Sequence, residues 1–216
     1  MQFQKQMMGI PAARGKEYEP IPQSGSLDSG DDAIPVAQYF RQSFGAWILL
    51  RDSITGGTMG NRKTITGLSL YKENRSGSGS VAMTNQYIKI AHCTNVAFPS
   101  GSLDPTGATA ADVSLSNILT LTDETTVYSG NITFTGPTGE WTDKITFDTP
   151  FEYNGADSVA ILWINADGNY FLNRFEWGVV NVATGSRMLH QESDSIDVED
   201  MTAFRSSILP QTKLYY

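Results

Sequence analysis

From Ile34 onward the apolar residues come in short runs, each closed off by glycine, proline, asparagine or aspartate, and almost none keeps a helical spacing. Alternate residues of a strand face opposite ways, so a half-buried strand shows an apolar residue at every second position and a turn residue at each end. Tyr87–Ala91 puts Ile88 and Ile90 inward, Val127–Thr135 puts Ile132 and Phe134 inward, and Phe171–Val182 puts Phe175, Trp177 and Val179 on one side. Trp141–Phe147 alternates as well, but Asp143 interrupts its inner row, so this strand enters the core at Ile145. Leu209–Tyr216 supplies a last strand with Leu214 and Tyr216 aligned. Two segments, Ala46–Leu50 and Val159–Ile164, are apolar throughout, as in strands covered on both faces. Asp112–Leu121, the best helical candidate, is broken by serine and threonine and reads as a loop with a short turn.

Many strands joined by turns predict an all-β fold, a two-sheet antiparallel β-sandwich of jelly-roll or Greek-key type. Its expected core holds Trp47, Ile65, Ile88, Ile90, Ile132, Phe134, Ile145, Phe147, Ile161 and Trp163. The charged or proline-bearing stretches Arg62-Lys63, Glu73-Asn-Arg75 and Thr149-Pro150 read as protection of sheet edges. With 216 residues, such a domain hides roughly 70% of the surface its unfolded chain exposes, so neither disulfide nor metal is needed. The single cysteine, Cys93, agrees.

Residues 1–33 differ from the sandwich domain expected over 34–216. They carry Pro11, Pro20 and Pro22 and the acids Asp28, Asp31 and Asp32, without either apolar period. They also hold Phe3, Met7, Met8, Ile10 and Tyr18, more apolar surface than a solvated tail carries. Two readings fit, a disordered terminal tail and, as the apolar side chains favour, an extended amino-terminal arm that uses these five residues to assemble on a neighbouring subunit.

A formal charge of −8 repels a phosphate backbone, so no nucleic-acid partner is expected. No apolar run approaches the roughly 20 residues that cross a bilayer, and no membrane partner is expected either. The first residues lack the apolar segment of a signal peptide, which implies synthesis in the cytosol.

Catalytic chemistry has few candidates. His92 and Cys93 are strand neighbours that point to opposite faces, so they cannot pair as base and nucleophile. Cys93 is expected to be buried and His92 half-exposed. His190 falls in an acidic stretch read as a loop, and two histidines with one cysteine lack the spacing of a zinc site. The carboxylates Asp194, Asp197, Glu199 and Asp200 lack the alternation and central glycine of a calcium loop and read as solvated. Asp167-Gly-Asn169 reads as a turn, and Gly56-Gly57 and Ser76–Ser80 as loop connections without the lysine of a phosphate cradle. The four tryptophans lie in strands, where packing is their default role. The expectation is no catalytic residue, no metal and no cofactor.

Several stretches carry a resemblance. Ile34-Pro-Val-Ala-Gln-Tyr-Phe-Arg-Gln-Ser-Phe44 precedes the strand Ile65-Thr-Gly-Leu-Ser-Leu-Tyr71, and Gln86-Tyr-Ile-Lys-Ile-Ala-His-Cys-Thr94 is followed by Phe98. Val127-Tyr-Ser-Gly130, Glu140-Trp141 and Ile145-Thr-Phe-Asp-Thr-Pro-Phe-Glu-Tyr-Asn-Gly155 form the most specific part. This order resembles β-sandwich modules of Bacteroidetes surface proteins and of the virion proteins of their phages, over about residues 33 to 216. It departs where Glu140 stands in place of a glycine and where the proline after Arg205 moves to Pro210. The resemblance implies a sandwich fold and no residue-level activity. It also implies a non-enzymatic phage structural protein, decorating the capsid or forming part of a head fibre or tail. Its partners would be other virion proteins and copies of itself in a homo-oligomer, and its place the virion after synthesis in the host cytoplasm. The alternative is a carbohydrate-binding adhesin module whose partner is a host-surface glycan; it requires two or more aromatic rings exposed on one surface.

Overall fold

The structure, a computed structural model, describes residues 26–31, 34–55, 59–76, 79–101, 104–105, 107–182 and 185–216. Its strands in chain order are β1 (Ser26–Asp31), β2 (Gln42–Leu49), β3 (Lys63–Ser76), β4 (Val81–Cys93), β5 (Leu121–Phe134), β6 (Glu140–Trp141) and β7 (Ile145–Tyr153). They continue as β8 (Ser158–Asn165), β9 (Arg174–Asn181), β10 (Met188–Ser193), β11 (Phe204–Ser206), β12 (Ile208–Pro210) and β13 (Thr212–Tyr215). A single short helix, α1 (Arg51–Thr55), is described beside two one-turn 3-10 segments. The fold is all-β, two antiparallel sheets packed face to face.

In the second sheet the strand order is β11-β10-β2-β8-β4-β5. The first runs β1-β9-β3-β13, with β6 and β7 also on β3 and β12 on β9. β3 and β9 pair from Lys72–Trp177 to Ser76–Arg174 and then part. The carboxy-terminal segment fills the gap, β12 pairing with Val179–Asn181 of β9 and β13 with Gly67–Leu70 of β3. The expected last strand is therefore two, divided at Gln211, whose N–H donates to Gly178 and whose carbonyl accepts from Tyr71.

Every residue of β8, and all of β2 after Gln42, is buried. The cause is a third layer. Trp47, Leu49, Ile161 and Trp163 face the first sheet, while Phe44, Ala46, Ile48, Leu162 and Ile164 face outward beneath Phe98, Val113, Leu115, Leu119, Val198 and Met201 from two long connections. Lys89, on the same outer face, is nearly buried, with its ammonium 3.8 Å from Glu124. Burial lowers its pKa, against the pull of Glu124. Glu124 also accepts from Ser114 Oγ and Leu115 N–H, which ties the outer connection down.

All ten expected core residues are buried. Other readings need correction. Lys63 and Glu73-Asn-Arg75 belong to β3, where Lys63 pairs with Tyr153 of β7 on one side and Asn74 and Arg75 pair with Glu176 and Phe175 of β9 on the other side of the strand. Pro150 sits within β7 where Ile65 to Gly67 of β3 faces Phe151 to Thr146, a bulge that spares the proline a ladder bond. Trp141 is only half-buried, edge-on to Tyr71 with ring centroids 5.5 Å apart. Glu140 meets the ammonium of the buried Lys72 at 3.2 Å, which gives that position a task a glycine could not perform.

Ser26–Asp31, within the stretch read as an arm, forms strand β1 on β9. Phe3, Met7, Met8, Ile10 and Tyr18 lie outside the described residues. The direction of β1 defines the two ends of the sandwich. Ser26 pairs with Asn181 at the close of β9, and the chain beyond it lies against Phe98 and Ile48. This entry end also gathers the close of β2, the close of β4 and the start of β8, where Cys93 pairs with Ser158. The far end carries residues 34–41, the 166–173 loop and the 194–197 loop.

Candidate functional site

At the entry end His92 is buried, not half-exposed. It shares the inner face of β4 with Ile88 and Ile90, and its ring lies 4.7 Å from that of Phe151 and 5.7 Å from that of Tyr153. Nδ1 is 2.7 Å from Asp123 Oδ2, and Nε2 accepts from Asn154 N–H at 2.9 Å. An imidazole with a carboxylate on one nitrogen and an amide donor on the other has no lone pair to offer a substrate. The pair instead locks a turn. Asn154 Oδ1 accepts from Ala156 and Asp157 N–H, Gly155 adopts φ +74°, and Tyr153 Oη donates to Asp157 carbonyl. The most distinctive stretch of the sequence is thus a turn clamped onto His92.

Cys93 faces the other way, into the outer layer. Burial pushes its thiol up to about 11, and Asp157 acts in the same direction. It lines a cavity of about 350 Å³ with Leu50, Val96, Ala156, Asp52 and Asp157. His190 lies in β10, not in a loop, opposite Gly45 and Phe204 and 3.5 Å from Glu192. Asp194 and Asp197 are exposed, as expected, and secure the loop by accepting from Arg41 N–H and Gln42 Nε2.

The far end is organised by a polar network that the sequence reading missed. Gln86 Nε2 donates to Asn165 Oδ1 and to Thr84 carbonyl, while its Oε1 accepts from Trp163 Nε1. Asn165 Oδ1 also accepts from Asp167 N–H, and its Nδ2 donates to Ala37 carbonyl. Asp167 accepts from Thr84 N–H and Asn169 Nδ2 around the expected turn. Gln38 Oε1 accepts from Phe175 N–H, and Trp177 Nε1 donates to Val36 carbonyl. Gln38, Gln86 and Asn165 are fully buried, so the bonds of Gln86 to Asn165 and Trp163, of Asn165 to Ala37 and of Gln38 to Phe175 form out of competition with water.

The network holds residues 34–41 against the 166–173 loop. Gly168 and Phe171 N–H add bonds to Arg41 and Gln38 carbonyls. On this frame Tyr39 and Tyr170 are exposed, with ring centroids 6.1 Å apart at 66°, and Leu172 is 69% exposed. The Arg174 guanidinium sits 4.6 Å over the Tyr39 ring, and Phe40 packs edge-on to that ring at 5.6 Å. Ile196, on the loop that Arg41 and Gln42 hold, is exposed as well. The result is a fixed apolar surface rimmed by Arg41, Arg174, Asp194 and Asp197. Spacing in β8 could have flagged Asn165 and Asp167, since polar side chains directly after a fully apolar strand need partners.

Compared with protein-family models, with curated proteins and with solved structures, the chain matches none.

Proposed function

We propose that this chain is a structural protein of a phage particle, a capsid-decorating, head-fibre or tail-associated subunit that works through protein–protein interfaces rather than catalysis. One observation carries the reading: Tyr39, Tyr170 and Leu172 stand exposed together on a surface that buried polar groups hold rigid. Rigid aromatic and apolar side chains lose little entropy on contact, which suits an interface. The reading places the chain in the virion after synthesis in the host cytoplasm, with other virion proteins and its own copies as partners. Phe3, Met7, Met8, Ile10 and Tyr18 would serve assembly from the amino-terminal side. Incorporation into particles tests it. The Tyr170→Asp, Leu172→Asp chain should fold normally and reach an occupancy about tenfold lower, since loss of one interface anchor costs upward of about 1.4 kcal/mol. Unchanged occupancy would remove the far end from the interface.

A second reading is the glycan-binding adhesin module. Tyr39 and Tyr170 supply the two exposed rings on one surface that it requires. Glycan-array binding that is lost in Tyr170→Ala would favour it over the virion reading.

A further inference from the structure

Among the described residues β5 pairs only with β4 and β7 only with β3, so each leaves one strand edge unpaired on the side where the two sheets come together. Two ties cross that gap. Asp148 of β7 accepts from Ser129 N–H of β5 at 3.0 Å, and the buried Lys72 of β3 donates to Thr135 carbonyl at 2.7 Å. Along the gap runs a cleft of about 320 Å³ whose walls come from Tyr128, residues 131–135 and residues 142–146. Ile132, Phe134 and Ile145 line it from the core side. The Tyr128 ring is fixed beside it by donation from Oη to Asn131 carbonyl at 2.7 Å. Five further side chains of the lining, Asn131, Thr133, Thr135, Asp143 and Thr146, are exposed, and their polar groups meet no hydrogen-bond partner among the described residues.

We infer that this cleft between β5 and β7 binds a neutral saccharide, one or two sugar residues of a glycan, through Asn131, Asp143 and the three threonines. Its volume falls at the small end of the roughly 300–1,000 Å³ of small-molecule sites. A sugar hydroxyl both donates and accepts, so it can meet a carboxylate, an amide and a threonine hydroxyl in turn, while the apolar wall takes the C–H face of the ring. Charge disfavours an anionic ligand. The one acid of the lining is Asp143, and its one base, Lys144, donates to Thr66 Oγ1 at 2.9 Å and lies 5.2 Å from the Tyr215 ring centroid. A docked peptide strand would need an unbroken row of edge groups. Along β5 that row is interrupted, since Ser129 N–H and the Asn131 and Thr135 carbonyls already meet side chains. The inference is separate from both readings above, because Tyr39 and Tyr170 take no part in the cleft.

An array of neutral and sialylated oligosaccharides, followed by titration of the strongest neutral binder into the isotope-labelled full chain, tests it. Backbone amides of residues 131–135 and 142–146 should shift, and those of Tyr39 and Tyr170 should stay in place. The double variant Asn131→Ala, Asp143→Ala changes two exposed side chains and should fold as the native chain does. It should bind at least about tenfold more weakly, the loss expected when two hydrogen bonds to the ligand go. Tyr170→Ala should bind as the native chain does, and raised salt should leave the affinity unchanged because the ligand carries no charge. Four results would each overturn the inference: no neutral oligosaccharide shifts the 131–135 and 142–146 amides, a sialylated one binds there more tightly, a peptide copying residues 121–134 shifts them instead, or the double variant binds as well as the native chain. Binding that shifts only Tyr39 and Tyr170 and is lost in Tyr170→Ala would also overturn it, while leaving the glycan reading of the far end intact.

Discussion

At the far end, the backbone groups left over where strands stop are taken up by the side chains of Gln38, Gln86, Asn165 and Asp167, all buried. At the entry end one imidazole, the Asn154 side chain and short carbonyl contacts do that work, and a cavity remains beside Cys93. Amides offer donor and acceptor on one planar group, so a few of them can join several loops without leaving a gap. The far end is a closed surface with Tyr170 and Leu172 pointing outward, whereas the entry end keeps a concavity.

The largest effect should come from Trp163→Ala. It empties the centre of the sandwich and strips Gln86 of the donor on its Oε1, so unfolding by denaturant should show a loss of about 3–5 kcal/mol. Next, Asn165→Leu keeps the branching of the side chain but leaves Gln86 Nε2, Asp167 N–H and Ala37 carbonyl short of a partner, a cost of about 3 kcal/mol. Hydrogen exchange should then quicken around residues 36–41 and 166–171 while residues 154–158 keep their protection. Uniform loosening of both ends would show that they are not separate units. His92→Ala should cost about 2 kcal/mol by orphaning Asn154 N–H and unstacking Phe151 and Tyr153, with exchange quickening at 154–157. Particle incorporation should be retained, and its loss in a folded variant would reveal a site at the entry end.

The smallest effect is chemical. The folded chain keeps a thiol proton that the unfolded chain releases near 9, so Cys93 contributes a fall in stability as pH rises from about 9 to about 11. At pH 8 its alkylation should run about a hundredfold slower than in the unfolded chain, and a fast folded-state rate would show that the cavity admits solvent to the sulfur.

Much of the inner layer was legible in the residues. Period-two alternation put Ile88, Ile90, Ile132, Phe134, Phe175 and Trp177 on their buried faces, because side-chain direction in a strand is fixed by position alone. The unbroken apolar runs of β2 and β8 announced cover on both sides, although not that loops would supply it. What failed was whatever depended on neighbours in space. His92 looks half-exposed until Phe151 and Tyr153 stack against it. Gly45 is similar. Only the fold brings the Pro35 carbonyl so close that a Cβ there would collide with it.

By itself the sequence determined the fold class, the inner core and the opposite facing of His92 and Cys93, since each follows from local geometry that every strand shares. Tertiary structure alone decided that Tyr39 and Tyr170, more than a hundred residues apart in the chain, share one exposed surface, and that Leu50, Val96 and Asp157 enclose one cavity. Those meetings depend on strand order and on which loops share an end, and long-range pairing of this kind leaves no periodic trace in the residues that take part.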